Sequence, residues 1–250
     1  MADDEFIPVI HRHAIDEIAD CRITVQALVH IVHYEKAASL FVEVSKQFNR
    51  PINVVSIGCG EMRELEVFWN TFWVKKSDIL QSYTGVDIEI CEIPVANVKE
   101  EVKIKVIEQD LMEIPKLPFE NNSIDLIIAT EFIEHVPVEC AELMMDEFSR
   151  ILIPKGTLYL STPNGDIAPK SKYHYYQYNI SEMMKLAGSN NLFVSNICGD
   201  FAKINAITKI DAATDKIAKR FGPNFARLIA ATEHPNLSNG VTYTMTKSIF

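Results

Sequence analysis

Residues 53–61 read Asn53-Val54-Val55-Ser56-Ile57-Gly58-Cys59-Gly60-Glu61, a β-branched apolar run that stops in two glycines and is followed by helix-compatible residues. This is the pattern of a buried strand that turns sharply into a helix. Glycine has no Cβ, so the chain can bend at Gly58 and pass close to a ligand at Gly60, while the free N–H groups of the next helix face the same space. From Gly60 it is 27 residues to Asp87, which ends a second strand-like run, Tyr83-Thr84-Gly85-Val86-Asp87. That spacing suits a carboxylate accepting hydrogen bonds from a ribose, and a nucleoside-containing cofactor follows.

The third glycine of a dinucleotide fingerprint is missing, because Arg63 stands where a helix must pack tightly and a pyrophosphate be cradled. With no Tyr-x-x-x-Lys pair after the fourth strand, a nicotinamide-dependent oxidoreductase is disfavoured. The stretch Val55–Gly60 instead resembles the first motif of class I S-adenosylmethionine-dependent methyltransferases, whose cofactor carries an adenosine and a methionine tail but no phosphate. Three further motifs fit that family in order. Thr84-Gly85-Val86-Asp87 resembles its ribose-binding motif, Ile107-Glu108-Gln109-Asp110-Leu111 its adenine-binding motif, and Ser123-Ile124-Asp125-Leu126-Ile127-Ile128-Ala129 its fourth strand. The resemblance spans about residues 35–200, and the ordered set is far more specific than any one member. It implies that Gly58, Gly60 and Glu61 hold the methionine part, Asp87 the ribose hydroxyls, and Asp110 with Leu111 the adenine edge. Cys59, Ile88 and Glu131 complete the implied cofactor set. Many members have glycine where this chain has Met62, which points to a tighter or differently shaped methionine pocket.

From Pro51 onward short β-branched runs alternate with helical ones, which predicts a doubly wound parallel sheet in an α/β fold. Seven strands are expected near 53–57, 83–87, 104–108, 124–129, 157–161, 192–198 and 241–246, with helices near 61–70, 93–98, 139–151 and 180–188. Residues 1–50 read as an N-terminal helical cover, with apolar positions at three and four spacings between about 14 and 48, and residues 51–250 as a Rossmann-like domain. A mostly helical insertion at about 203–236, containing Phe221-Gly222-Pro223-Asn224-Phe225, precedes the last strand; it shapes a substrate pocket, covers the fold or forms a subunit interface. Ligands of open α/β sheets collect at the carboxyl ends of strands, where every motif above falls.

Just past the fourth strand, Glu131-Phe132-Ile133-Glu134-His135 puts two carboxylates and an imidazole within five residues. A helical turn here would place Glu131, Glu134 and His135 on one face. Three readings stand side by side. The stretch can shape the cofactor pocket, or His135 with Glu131 can take a proton from the acceptor, or the three can hold a divalent metal. It is similar to the Glu-x-x-Glu-His stretches of small RNA 3′-end methyltransferases, where these residues and a downstream histidine are metal ligands, and of quinone-precursor O-methyltransferases. His174, set among Tyr173, Tyr175, Tyr176 and Tyr178, is the downstream candidate, and the metal is left open. Thr162-Pro163-Asn164, at the fifth strand's end, is placed to line the same space. His11, His13, His30 and His33 form no convincing metal set, although the resemblance implies that His30 and His33 line a pocket under the cover.

Among the 250 residues 48% are apolar, and no apolar run reaches the roughly 18 residues of a membrane helix. The acidic start, Met1 to Glu5, does not resemble a secretory or mitochondrial leader, and a cytoplasmic location is expected. The five cysteines, Cys21, Cys59, Cys91, Cys140 and Cys198, are scattered and read as reduced thiols, Cys59 as a small filler of the turn. A formal net charge of −10 disfavours a nucleic-acid surface, and the Lys170–Arg220 basic residues read as a solvated face. Methyl transfer to a hydroxyl of a small metabolite is therefore expected, with an RNA or N-methyltransferase and a noncatalytic cofactor-binding partner protein as alternatives. Nothing in the sequence bears on the oligomeric state.

Overall fold

The computed structural model describes residues 25–89, 92–94, 102–202, 220 and 223–249. Its elements run α1 (Val25–Phe48), β1 (Ile52–Ile57), α2 (Arg63–Thr71), β2 (Leu80–Asp87), β3 (Lys103–Glu108), β4 (Ile124–Thr130), α3 (Val138–Ile151), β5 (Leu152–Pro163), α4 (Ile180–Ser189), β6 (Leu192–Gly199), α5 (Pro223–Glu233) and β7 (Gly240–Lys247). All seven expected strands are present, in one sheet of order β3-β2-β1-β4-β5-β7-β6. The first five are parallel, and β7 runs antiparallel between β5 and β6. The sheet thus belongs to the Rossmann-like, doubly wound class, with one reversed strand. The expected helix near 93–98, the start of the N-terminal cover and most of the 203–236 insertion lie outside the described residues, as do Cys21, Cys91, His11, His13 and the side chain of His30.

Two apolar layers flank the sheet, and strand alternation assigns side chains to them. Val55, Ile57, Ile127, Ala129, Leu158 and Leu160 face α3 and α4. Val54, Leu126, Ile128 and Tyr159 face α1 and α2. Both faces being covered, the central strands are apolar almost throughout, as parallel strands must be. At the opposite edge from the glycine turn, Asp125 is 1% exposed and takes two hydrogen bonds from Arg50, at 2.6 and 3.0 Å, and one from the Asn53 amide at 2.8 Å. That carboxylate ties the loop after α1 to the entry of β1 and β4. Asn179 and Glu182 form a reciprocal cap at the start of α4, each side chain bonded to the other's amide at 2.9 Å, in the asparagine-x-x-glutamate spacing such caps require. Strand order reverses between β1 and β4, which opens a crevice at their carboxyl ends and places the glycine turn, Asp87, Asp110 and Glu131 around it.

Candidate functional site

The turn after β1 has left-handed backbone at Gly58 (φ 60°), Gly60 (φ 45°) and Met62 (φ 52°). Gly58 and Cys59 donate their amides to Val86 O at 2.9 and 3.3 Å, and Gly60 donates to Asp87 Oδ2 at 2.8 Å, so β2 holds the turn in place. The other Asp87 oxygen accepts the Ile88 amide at 2.8 Å. Each oxygen keeps a further lone pair for a hydroxyl donor. A Cβ on Gly60 would meet nothing within 4 Å, so the space beside this backbone is open, which is what a cofactor passing over the turn requires. Cys59 is buried, and a Cβ on Gly85 would lie 2.6 Å from its sulfur and 3.3 Å from Met62 Sδ. Gly85 therefore makes room under the turn for two sulfur side chains.

One expectation needs correcting here. Met62 does not narrow the methionine pocket through its side chain, which is fully buried in the α1/α2 layer. The Glu61 carboxylate is ion-paired with Arg63, which also binds Glu66 at 2.6 Å, so Arg63 in the place of the third glycine opens α2 as the centre of an acid–base–acid bridge. A cofactor's methionine amine would meet Glu61 only in company with that guanidinium.

At the adjoining strand ends, Asp110 accepts the Met112 amide at 2.8 Å, and Leu111 is buried with its carbonyl bonded to Cys140 Sγ at 3.3 Å. Ile88 and Met112 are 60% and 46% exposed, large apolar side chains beside the two acids. A purine packed between them would remove that surface from water. These features fit an adenosine.

The Glu131–His135 stretch does not form one functional face. Glu131 has left-handed backbone (φ 50°), a short 3₁₀ turn covers Ile133–His135, and the end of β5 sorts the two acids. Ser161 Oγ donates to Glu131 Oε1 at 2.8 Å, whereas Thr162 Oγ1 donates to Glu134 Oε2 at 3.1 Å. Successive strand residues point to opposite faces, so Glu131 lies on the α1 side and Glu134 on the α3/α4 side. The expected grouping of Glu131 with Glu134 and His135 is therefore replaced by two groups, each with ligand atoms within 4.8 Å of one another: His33 with Glu131 and Asp200, and Glu134 with His135 and His174.

In the second group Glu134 is fully buried with Oε1 unpartnered, and burial together with the Glu131 charge raises its carboxyl well above the usual range. His135 Nε2 lies 4.0 Å from that oxygen, and Nδ1 lies 3.1 Å from Tyr173 O. The His135 and His174 rings meet edge to face at 4.8 Å, and burial lowers the pKa of both, with their mutual repulsion lowering that of His174 further. The tyrosine-rich loop thus supplies His174 to this group. Tyr176 bonds Glu182 at 2.8 Å and meets Tyr178 edge to face, which ties the loop to α4.

In the first group His33 of α1 and Asp200, just past β6, are 2% and 6% exposed, with His33 Nε2 at 2.7 Å from Asp200 Oδ1. Burial works to lower the His33 pKa, but the Asp200 carboxylate outweighs it and Glu131 adds to the upward shift. Glu131, partly buried, is raised by burial. Tyr34, one residue along α1, feels the charges of Glu64, Arg63, Glu61 and Glu131, and α1 packs against α2, β1 and β4. Sequence reasoning misses Asp200, a lone acid after an apolar run, whose one signal is its position at a strand's carboxyl end. Asn164 is buried and structural, donating to Ser238 O at 3.1 Å.

A family model of a methyltransferase domain matches residues 28–194. The chain belongs to the methyltransferase-domain family. It is an S-adenosylmethionine-dependent methyltransferase, and S-adenosylmethionine is its cofactor. No curated protein matches it in sequence. Among solved structures it is similar to the 1,6-didemethyltoxoflavin N1-methyltransferase of Burkholderia thailandensis, determined with its substrate and S-adenosylhomocysteine, at 14% identity and TM-score 0.57 over 99% of this chain and 92% of that one. A methyltransferase from Archaeoglobus fulgidus aligns at 16% identity and TM-score 0.53 over 87% of this chain and 99% of that one. The cyclase SpnF aligns equally well, at 16% identity and TM-score 0.53 over 85% of this chain and 81% of that one. At such identities the likeness is one of fold, and the acceptor has to be argued from this methyltransferase's own residues.

Proposed function

We propose that this methyltransferase transfers the methyl group of S-adenosylmethionine to a hydroxyl of a small-molecule acceptor. The observation that carries the proposal is the placement of Glu131 at the carboxyl end of β4, beside the cofactor turn and beneath α1. The sulfonium makes the methyl carbon electrophilic, and the protein must align a nucleophile in line with the carbon–sulfur bond and remove its proton. Glu131, with a pKa raised by burial and one oxygen held by Ser161, is suited to bind the hydroxyl and draw off that proton. His135, on the other face, is the second proton-handling candidate. In the cofactor site Gly58, Cys59, Gly60 and Glu61 take the methionine part, Asp87 and Ile88 the ribose side, and Asp110 and Leu111 the adenine.

The net charge of −10 and the cover of α1 over the site support a small acceptor over RNA. Residues 1–50 act in this proposal as the cover of the 51–250 domain. Among the described residues Cys140 and Cys198 form no disulfide, which supports a cytoplasmic protein, and no helix is long and apolar enough to cross a membrane. The test is release of S-adenosylhomocysteine with panels of phenols, aliphatic alcohols, amines and small RNAs. Turnover on a hydroxyl acceptor, lowered at least about 100-fold by Glu131→Gln with cofactor affinity kept, is the expected result. Turnover on amines or RNA alone would overturn the choice of acceptor.

A further inference from the structure

The group of His33, Glu131 and Asp200 is built from three separate elements, α1, the end of β4 and the end of β6, and both carboxylate residues are supported from behind. Glu131 donates its amide to Ser161 O at 3.0 Å while accepting Ser161 Oγ. Asp200 donates its amide to Gly240 O at 3.0 Å, and a Cβ on Gly240 would stand 2.2 Å from Asp200 Oδ2, so the first residue of β7 leaves space that the carboxylate fills. His33 is 2% exposed, yet neither ring nitrogen has a hydrogen-bond partner of good geometry among the described residues. Nε2 is close to Asp200 Oδ1 but does not point its N–H along that line.

Charge sharpens the point. Two carboxylates and one imidazole share this space, so with both acids ionised at least one negative charge is left unbalanced. Buried charge of this kind is costly unless a partner neutralises it. A divalent ion with two carboxylates and a neutral imidazole is neutral overall. The three ligand atoms lie within 4.8 Å of one another, and ligands around an ion at roughly 2.1 Å stand about 3 to 4 Å apart, so side-chain adjustments of about 1 Å or less would close the set. The donors are one nitrogen and two oxygens, which suits manganese or zinc better than calcium or magnesium.

We propose that His33 Nε2 and one carboxylate oxygen each from Glu131 and Asp200 bind a single divalent transition-metal ion. The ion fastens α1 to the carboxyl ends of β4 and β6. Its remaining positions are open to an oxygen of the acceptor, which the ion would orient; this last role rests on the methyltransferase reading, whereas ion binding does not.

The experiment is calorimetric titration of the chelator-stripped full chain with manganese and, separately, zinc. Asp200→Asn, His33→Gln and His174→Ala are titrated in parallel, each checked by circular dichroism and by its own titration with S-adenosylhomocysteine. Wild type binds an ion that Asp200→Asn and His33→Gln each weaken by more than about 100-fold while His174→Ala leaves it in place. Anomalous scattering at the zinc edge puts the ion among the three side chains. No ion binding by folded wild type, or binding that only His174→Ala removes, overturns the proposal. Ion binding failing while S-adenosylhomocysteine still binds would sink the metal site alone; loss of both would count against the cofactor reading as well.

Discussion

Two glycines near the cofactor turn are required for different reasons, and alanine at each separates them. At Gly85 the limit is space: a Cβ would press on Cys59 Sγ at 2.6 Å, and both sulfur side chains beneath the turn are enclosed in the core. Gly85→Ala is expected to cost about 1–3 kcal/mol of stability by overpacking and to weaken S-adenosylhomocysteine binding, because the displaced turn borders the open space over Gly60. At Gly60 the space is open and the limit is backbone conformation (φ 45°), so Gly60→Ala is expected to cost about 1–2 kcal/mol from left-handed strain alone. Thermal melts and calorimetry of the two variants check the contrast. The glycine at position 60 was legible in the sequence because its motif is local. The task of Gly85 was not, since it depends on Cys59 and Met62 arriving from another strand's turn.

The elements are held by buried acids that face backbone and arginine. Glu147 of α3 accepts the Leu117 amide at 2.6 Å and two Arg150 bonds at 2.6 Å. Burial alone would raise its pKa, but Arg150 and that amide outweigh it and hold the carboxyl below its ordinary value. A depressed carboxyl contributes stability that is present above its unfolded pKa, near ~4.3, and is lost as pH falls through the folded value. The stability gap between wild type and Glu147→Gln should therefore be full at neutral pH and shrink below about pH 4, as denaturant melts across pH would show. Arg50→Met, which leaves the buried Asp125 with only the Asn53 amide, is expected to cost about 2–3 kcal/mol, measured the same way. All seven strands could be read from β-branched runs, because burial on both faces removes every competing pattern. The antiparallel direction of β7 could not, for alternation and turn residues carry no strand direction. Nor could the separation of Glu131 from Glu134, since helical spacing predicts one face and only the register of Ser161 and Thr162 in β5 sends them apart.

Across the whole molecule, the strand-order reversal between β1 and β4 gathers the glycine turn, Asp87, Asp110 and Glu131 at one sheet edge, and α1 packs against β1, β4 and α2 beside it. Family membership and fold fix the cofactor class, while the two histidine–carboxylate groups lie on opposite faces of the sheet. That division also explains why net charge matters to function: an acidic protein with a covered, acid-lined site suits a small acceptor better than a polyanion. The central claim is that the crevice holds S-adenosylmethionine with Asp87 on the ribose. Calorimetric titration with S-adenosylhomocysteine, beside Asp87→Ala, tests it most directly. One-to-one binding that the substitution weakens by at least about tenfold in a still-folded protein is the predicted result. Absence of binding to folded wild type, or equal affinity in the variant, would contradict the account.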